Sequence, residues 1–175
     1  MTSTTAFARR AIAATSLTAA AVLSPFAADA VAATAPGHAG TPAPSSCRPA
    51  NYQANIKTDH PSAGQRHYRV TLTAAPGYAP CTLQGSPQDL IFSQGAGPAG
   101  VSATTYGDQR TPVTFGPGNP VHFDISTPDT PGGAPVDGVS FTLGAPGGVI
   151  PGTGAAQGGM EVDKGTQVGP IEAGA

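Results

Sequence analysis

His67-Tyr68-Arg69-Val70-Thr71-Leu72-Thr73 places Tyr68, Val70 and Leu72 on one side and His67, Arg69, Thr71 and Thr73 on the other. A period of two belongs to an extended strand with one buried face, because successive side chains point to opposite sides of a sheet. Val121–Ser126 repeats the pattern, with Val121, Phe123 and Ile125 inward, and Val139–Leu143 repeats it again. Fainter alternation marks Tyr52–Lys57, Thr82–Gln84, Asp89–Ser93, Val101–Tyr106, Pro112–Phe115 and Gly159–Asp163. Turn clusters separate these runs at Ala75-Pro76-Gly77, Gly95–Gly100, Gly116-Pro117-Gly118 and Pro131-Gly132-Gly133. Roughly seven to nine short strands predict an all-β fold, an antiparallel immunoglobulin-like β-sandwich, with a small β-barrel as the alternative. Val70, Leu72, Phe123, Ile125, Phe141 and Leu143 are expected in the core, and His67, Arg69, His122 and Asp124 in water.

Composition agrees. Glycine (24) and proline (19) make about a quarter of the 175 residues, and tryptophan is absent. Both residues destabilise helix interiors, so a helix-rich fold is excluded. Eight basic against ten acidic residues leave a net charge of −2, with no basic stripe to neutralise phosphates, so no nucleic-acid partner is expected.

Residues 1–33 read as a secretory signal peptide. Arg9 and Arg10 precede the apolar stretch Ala11–Leu23, which is too short to span a bilayer. Ala28-Asp29-Ala30 and Val31-Ala32-Ala33 offer cleavage after Ala30 or Ala33. The arginine pair lacks the polar residue expected before a twin-arginine signal, which favours the general secretory route. Cys47 lies far beyond the apolar stretch, in the wrong context for lipid attachment, and no later segment is long and apolar enough for a membrane span. The expected location is therefore secreted or extracellular. Residues 34–46, rich in proline, glycine and alanine, read as a flexible linker, and 47–175 as the folded domain.

Cys47 and Cys81 are the only cysteines. In an exported chain they are expected to form one disulfide, tying the first strand to the third. Gly95-Ala96-Gly97-Pro98-Ala99-Gly100 matches the letters of a dinucleotide fingerprint, but β-formers and Gly107 follow where a helix must begin. It is expected to be an exposed connection between two antiparallel strands, and no cofactor is expected. Asp129-Thr130-Pro131-Gly132 fails as a protease motif, because the proline interrupts it and one carboxylate cannot share a proton. His67, His122 and Asp124 form a weak metal candidate that requires their strands to be neighbours; the ordinary reading is solvated side chains on strand faces. Tyr78 and Tyr106, in glycine-containing loops, are candidates for surface contact with a sugar or a protein.

Several stretches carry a family likeness: Gly64–Thr73 leads to Cys81-Thr82-Leu83-Gln84-Gly85-Ser86-Pro87, and Val113-Thr114-Phe115-Gly116-Pro117-Gly118 follows. Their order resembles the secreted actinobacterial domains grouped as domain of unknown function 4232, over about Cys47 to Glu172. Ala74 stands where that family often has asparagine, Ser86 where it often has tyrosine, and the second cysteine pair of many members is absent. The resemblance implies an extracellular immunoglobulin-like sandwich held by one bridge, and implies no activity.

The sequence thus points to a secreted, non-enzymatic β-sandwich, a binding or structural module outside the cell or at the envelope, with an envelope protein or glycan as the ligand class. The alternative is an extracellular hydrolase or metal-dependent enzyme, which requires convergent polar groups in a concave pocket. A wall-associated spacer is a third reading.

Overall fold

The structure, a computed structural model, describes residues 43–175. The signal peptide expected over 1–33 and most of the linker expected over 34–46 lie outside the described residues. The last linker residues belong to the fold. The Ala79 amide donates to the Pro44 carbonyl at 2.9 Å, the Ser46 amide donates to the Ala79 carbonyl at 2.9 Å, and Ser46 is fully buried.

A short 3-10 turn (Pro49–Asn51) precedes the strands. They are β1 (Tyr52–Thr58), β2 (Gln65–Ala74), β3 (Cys81–Gln84), β4 (Gln88–Gln94), β5 (Gly97–Pro98), β6 (Thr104–Thr105) and β7 (Pro112–Phe115). The second half adds β8 (Val121–Pro128), β9 (Ala134–Thr142), β10 (Gly144–Ala145), β11 (Gly148–Val149), β12 (Gly154–Val162), β13 (Gln167–Val168) and β14 (Glu172–Ala173). One large curled sheet runs β5-β4-β9-β12-β1-β2-β8-β13-β6, with β14 also paired to β8. Two small sheets, β3–β7 and β10–β11, complete the fold.

The molecule is all-β and of the sandwich or barrel class. The sequence predicts antiparallel pairing throughout, and two pairs depart from it: β1 runs parallel to β12 through Asn55↔Gln157, and β13 runs parallel to β6. Alternation tells a strand which face is buried and leaves its neighbour unspecified. A parallel contact between β1 and β12 spans nearly the whole domain and leaves no local mark.

The expected core is in place. Val70, Leu72, Phe123, Ile125 and Phe141 are completely buried, and Leu143 nearly so. The β3–β7 ribbon lays the fully buried Leu83 and Phe115 into the same core. Edge-on ring pairs connect it, Phe123 with Phe141 at 5.2 Å and Tyr52 with Phe115 at 5.8 Å between centroids. Such pairs contribute about 0.5–1.5 kcal/mol beyond the area they remove from water.

The disulfide joins Cys47 to Cys81, with their Cα atoms 6.0 Å apart. Cys47 precedes the 3-10 turn, so the bridge ties the segment before the first strand, rather than that strand itself, to the start of β3. The glycine-rich stretch 95–100 is a hairpin connection. Ser93 pairs with Pro98 and Gln94 with Gly97, leaving Gly95 and Ala96 at the tip.

Candidate functional site

Strand pairing gathers most of the polar residues that the sequence singled out onto one face of the β1–β2–β8 region. Arg69 lies opposite Asp124, Thr71 opposite His122, and His67 opposite Ser126. On the other side of β2, Lys57 faces Arg69 and Asn55 faces Thr71. Two like charges side by side in a sheet repel. The Arg69 guanidinium is compensated by Asp124 Oδ1 at 3.3 Å and Asp59 Oδ2 at 3.2 Å. The Asp59 carboxyl is held below its ordinary pKa, first by the His60 amide that donates to it and further by the charge of Arg69. A hollow of about 500 Å³ lies over this face, lined by Asn55, Lys57, Asp59, Arg69, Thr71 and Thr73 among others.

His122 departs from expectation. It is buried rather than turned to water, because β14 pairs along β8 with Glu172 opposite His122. Its Nδ1 lies 3.2 Å from the Gly174 carbonyl and its Nε2 3.8 Å from Glu172. The strands carrying the metal candidate are indeed neighbours, yet His67, His122 and Asp124 do not converge. His67 and His122 sit on rungs about 13 Å apart at the strand rise. His67 Nε2 is engaged by Ser62 Oγ at 2.9 Å, and Asp124 by Arg69. Among the described residues, no group of three or more histidine, cysteine, aspartate or glutamate side chains is placed to hold a metal ion.

The two tyrosines part company. Tyr78 is half-buried, next to the Ala79 that anchors Pro44 and Ser46. Tyr106 is exposed, and its hydroxyl lies so close over Gly169 that a Cβ there would meet it at 2.9 Å. Its pKa is raised, mainly by burial of the hydroxyl and further by the charges of Asp124 and Glu172.

Sequence reasoning missed a second concave feature. Among the described residues, strand β7 pairs only with β3, and β14 only with β8. The two line a common groove of about 480 Å³ without hydrogen-bonding to each other, and Asp108, Thr111, Pro170 and Ile171 complete its walls. Val113 is partly buried there and packs against the core, whereas Leu83 across the ladder and Phe115 two residues on are completely buried. Asp108 and Glu172 are the charged residues of the lining. The Asp108 carboxyl is held below its ordinary pKa, first by the Thr111 hydroxyl and then by the Arg110 amide, both of which donate to it. Pro112 and Pro170 were the only hints in the sequence, since proline cannot donate to a ladder and collects at sheet edges.

The family model described as Domain of unknown function (DUF4232) matches residues 47–172, most of the chain. The chain belongs to the DUF4232 family. Neither the comparison with curated proteins nor that with solved structures finds a match. In this DUF4232 chain the match begins at the first disulfide cysteine and ends at Glu172, so it takes in the polar face and nearly all of the groove wall. Among the described residues, no helix is long and apolar enough to cross a membrane.

Proposed function

We propose that this DUF4232 chain is an exported, non-enzymatic binding module that acts outside the cell or at the envelope. The observation that carries the reading is the groove between β7 and β14. It is walled mainly by apolar side chains and rimmed by two carboxylates, the usual composition of a recognition site. A disulfide between Cys47 and Cys81 suits an oxidising compartment, and the leader read at residues 1–33 supplies the route there. A second ligand class, an envelope glycan, is favoured by the amide, hydroxyl and paired ionic groups around the hollow over Lys57 and Arg69.

The test is sedimentation of the full exported chain with a washed envelope fraction. Co-pelleting that protease treatment of the envelope abolishes supports a protein ligand; co-pelleting that survives it supports a glycan. A chain that stays in the supernatant in both arms overturns the binding reading. Multiple turnover of any envelope substrate by the purified chain would replace it with the hydrolase alternative. N-terminal sequencing of the exported protein should begin at Val31 or Thr34, and an intact Met1 would remove the export argument.

A further inference from the structure

We propose that the hollow over the β1–β2 pair binds an uncharged glycan, whose hydroxyls hydrogen-bond to a polar row made by Gln157, Asn55 and Thr71. The inference rests on the glycan reading above and names the site and the class of sugar chain for it. Register builds the row: Asn55 of β1 pairs with Gln157 of β12 on one side and with Thr71 of β2 on the other. Cross-strand partners share a face, so the three side chains project from one outer surface, over about 10 Å at the ordinary strand spacing. Asn55 and Gln157 are exposed, and Thr73 continues the polar surface along β2. Elsewhere in the fold such groups are used internally: Gln84 donates to the Arg110 carbonyl, Gln109 to the Tyr106 carbonyl and the Thr130 hydroxyl to Asp163. Among the described residues, Asn55, Gln157, Thr71 and Thr73 make no side-chain hydrogen bond of this kind. A primary amide both donates and accepts, as a hydroxyl does, and neighbouring sugar hydroxyls need both roles met. The lining of the hollow holds no aromatic or large aliphatic side chain to receive an apolar ligand. Charge sets the class of glycan. Lys57 and Arg69 stand side by side, but Asp59 and Asp124 offset them, so an anion meets no surplus of positive charge.

The experiment uses the full exported chain, isotopically labelled. The probes are oligosaccharides released enzymatically from the washed envelope and separated by ion exchange into uncharged and charged pools. The expected result is that the uncharged pool saturably shifts the side-chain amide resonances of Asn55 and Gln157, while the charged pool leaves them in place. Asn55→Ala should weaken the binding by about tenfold, as loss of its hydrogen bonds requires. Asn55 is exposed, so the variant leaves the core untouched. Lys57→Gln keeps a donor and removes the charge, and should change the binding by less than about threefold. Three results overturn the proposal: shifts with the charged pool as large as with the uncharged one, collapse of binding in Lys57→Gln, or no shift at these amides with either pool. If protease-treated envelope still pellets the chain in that event, this site falls and the glycan reading stands. If it does not, both fall.

Discussion

Gly154 begins β12 at a point where no side chain fits. A Cβ there would run into the Tyr52 hydroxyl and would come within 2.9 Å of the Phe141 ring. Gly154→Ala is therefore expected to destabilise the domain by about 1–3 kcal/mol through overpacking. The Tyr52 hydroxyl is itself buried without a hydrogen-bond partner among the described residues. Tyr52→Phe alone should be neutral or stabilise by up to about 1 kcal/mol, because it removes an unsatisfied polar group. It should also relieve part of the Gly154→Ala defect, leaving a coupling of at least about 0.5 kcal/mol in a denaturant double-mutant cycle. Additive effects would mean that the two positions do not touch. Burial pushes the Tyr52 phenol up to about 12. The folded state thus favours the neutral form, and this contribution is full below about pH 10, the unfolded value, and lost as pH rises from there towards 12. Alkaline titration with parallel unfolding measurements should show a larger loss in the wild type than in Tyr52→Phe, where Tyr106 remains as a raised phenol. None of this was legible in the sequence, since a glycine forced by a side chain about a hundred residues away leaves no local pattern.

At the scale of elements, legibility followed side-chain size. Strands β2 and β8 carry bulky inward residues, and their buried faces were read correctly at Val70, Leu72, Phe123 and Ile125. β12 alternates in burial more strictly than β8, but its inward positions near the start are Gly154 and Ala156, so the sequence marks only its later part, from Gly159. β9 was likewise recognised from Val139 although it begins at Ala134. Where the chain folds back at the tip of β4–β5, Gly95 has φ +58°, whereas a Cβ on Gly97 would meet nothing within 4 Å and its φ is not positive. Gly97→Ala should be tolerated within about 0.5 kcal/mol, while Gly95→Ala should cost about 1 kcal/mol. Thermal melts of the two variants separate these outcomes, and equal losses would mean that the hairpin tip is misplaced.

Across the whole molecule, a single covalent tie holds the segment before β1 to the start of β3. Cys81→Ala should cost about 2–5 kcal/mol in denaturant unfolding, and a smaller loss would show that the hydrogen bonds of Ala79 with the Pro44 carbonyl and the Ser46 amide anchor this end by themselves. The candidate site was legible only in part. The polar face could be listed residue by residue, but burial of His122 depends on the C-terminal strand, and the groove depends on two strands that fail to pair. Neither fact is local. The placement of β1 has a further consequence, for the order of events as the chain emerges. Of the described strands β1 is the first to appear, and one of its edges pairs at once with β2 across a short loop. Its other neighbour, β12, begins only at Gly154, about a hundred residues after β1 begins. A polypeptide delivered N-terminus first must therefore keep a bare strand edge waiting while the strands from β2 to β11 are delivered. Closing the sheet is then a late and slow step, on the millisecond-to-second scale of folds dominated by distant pairings.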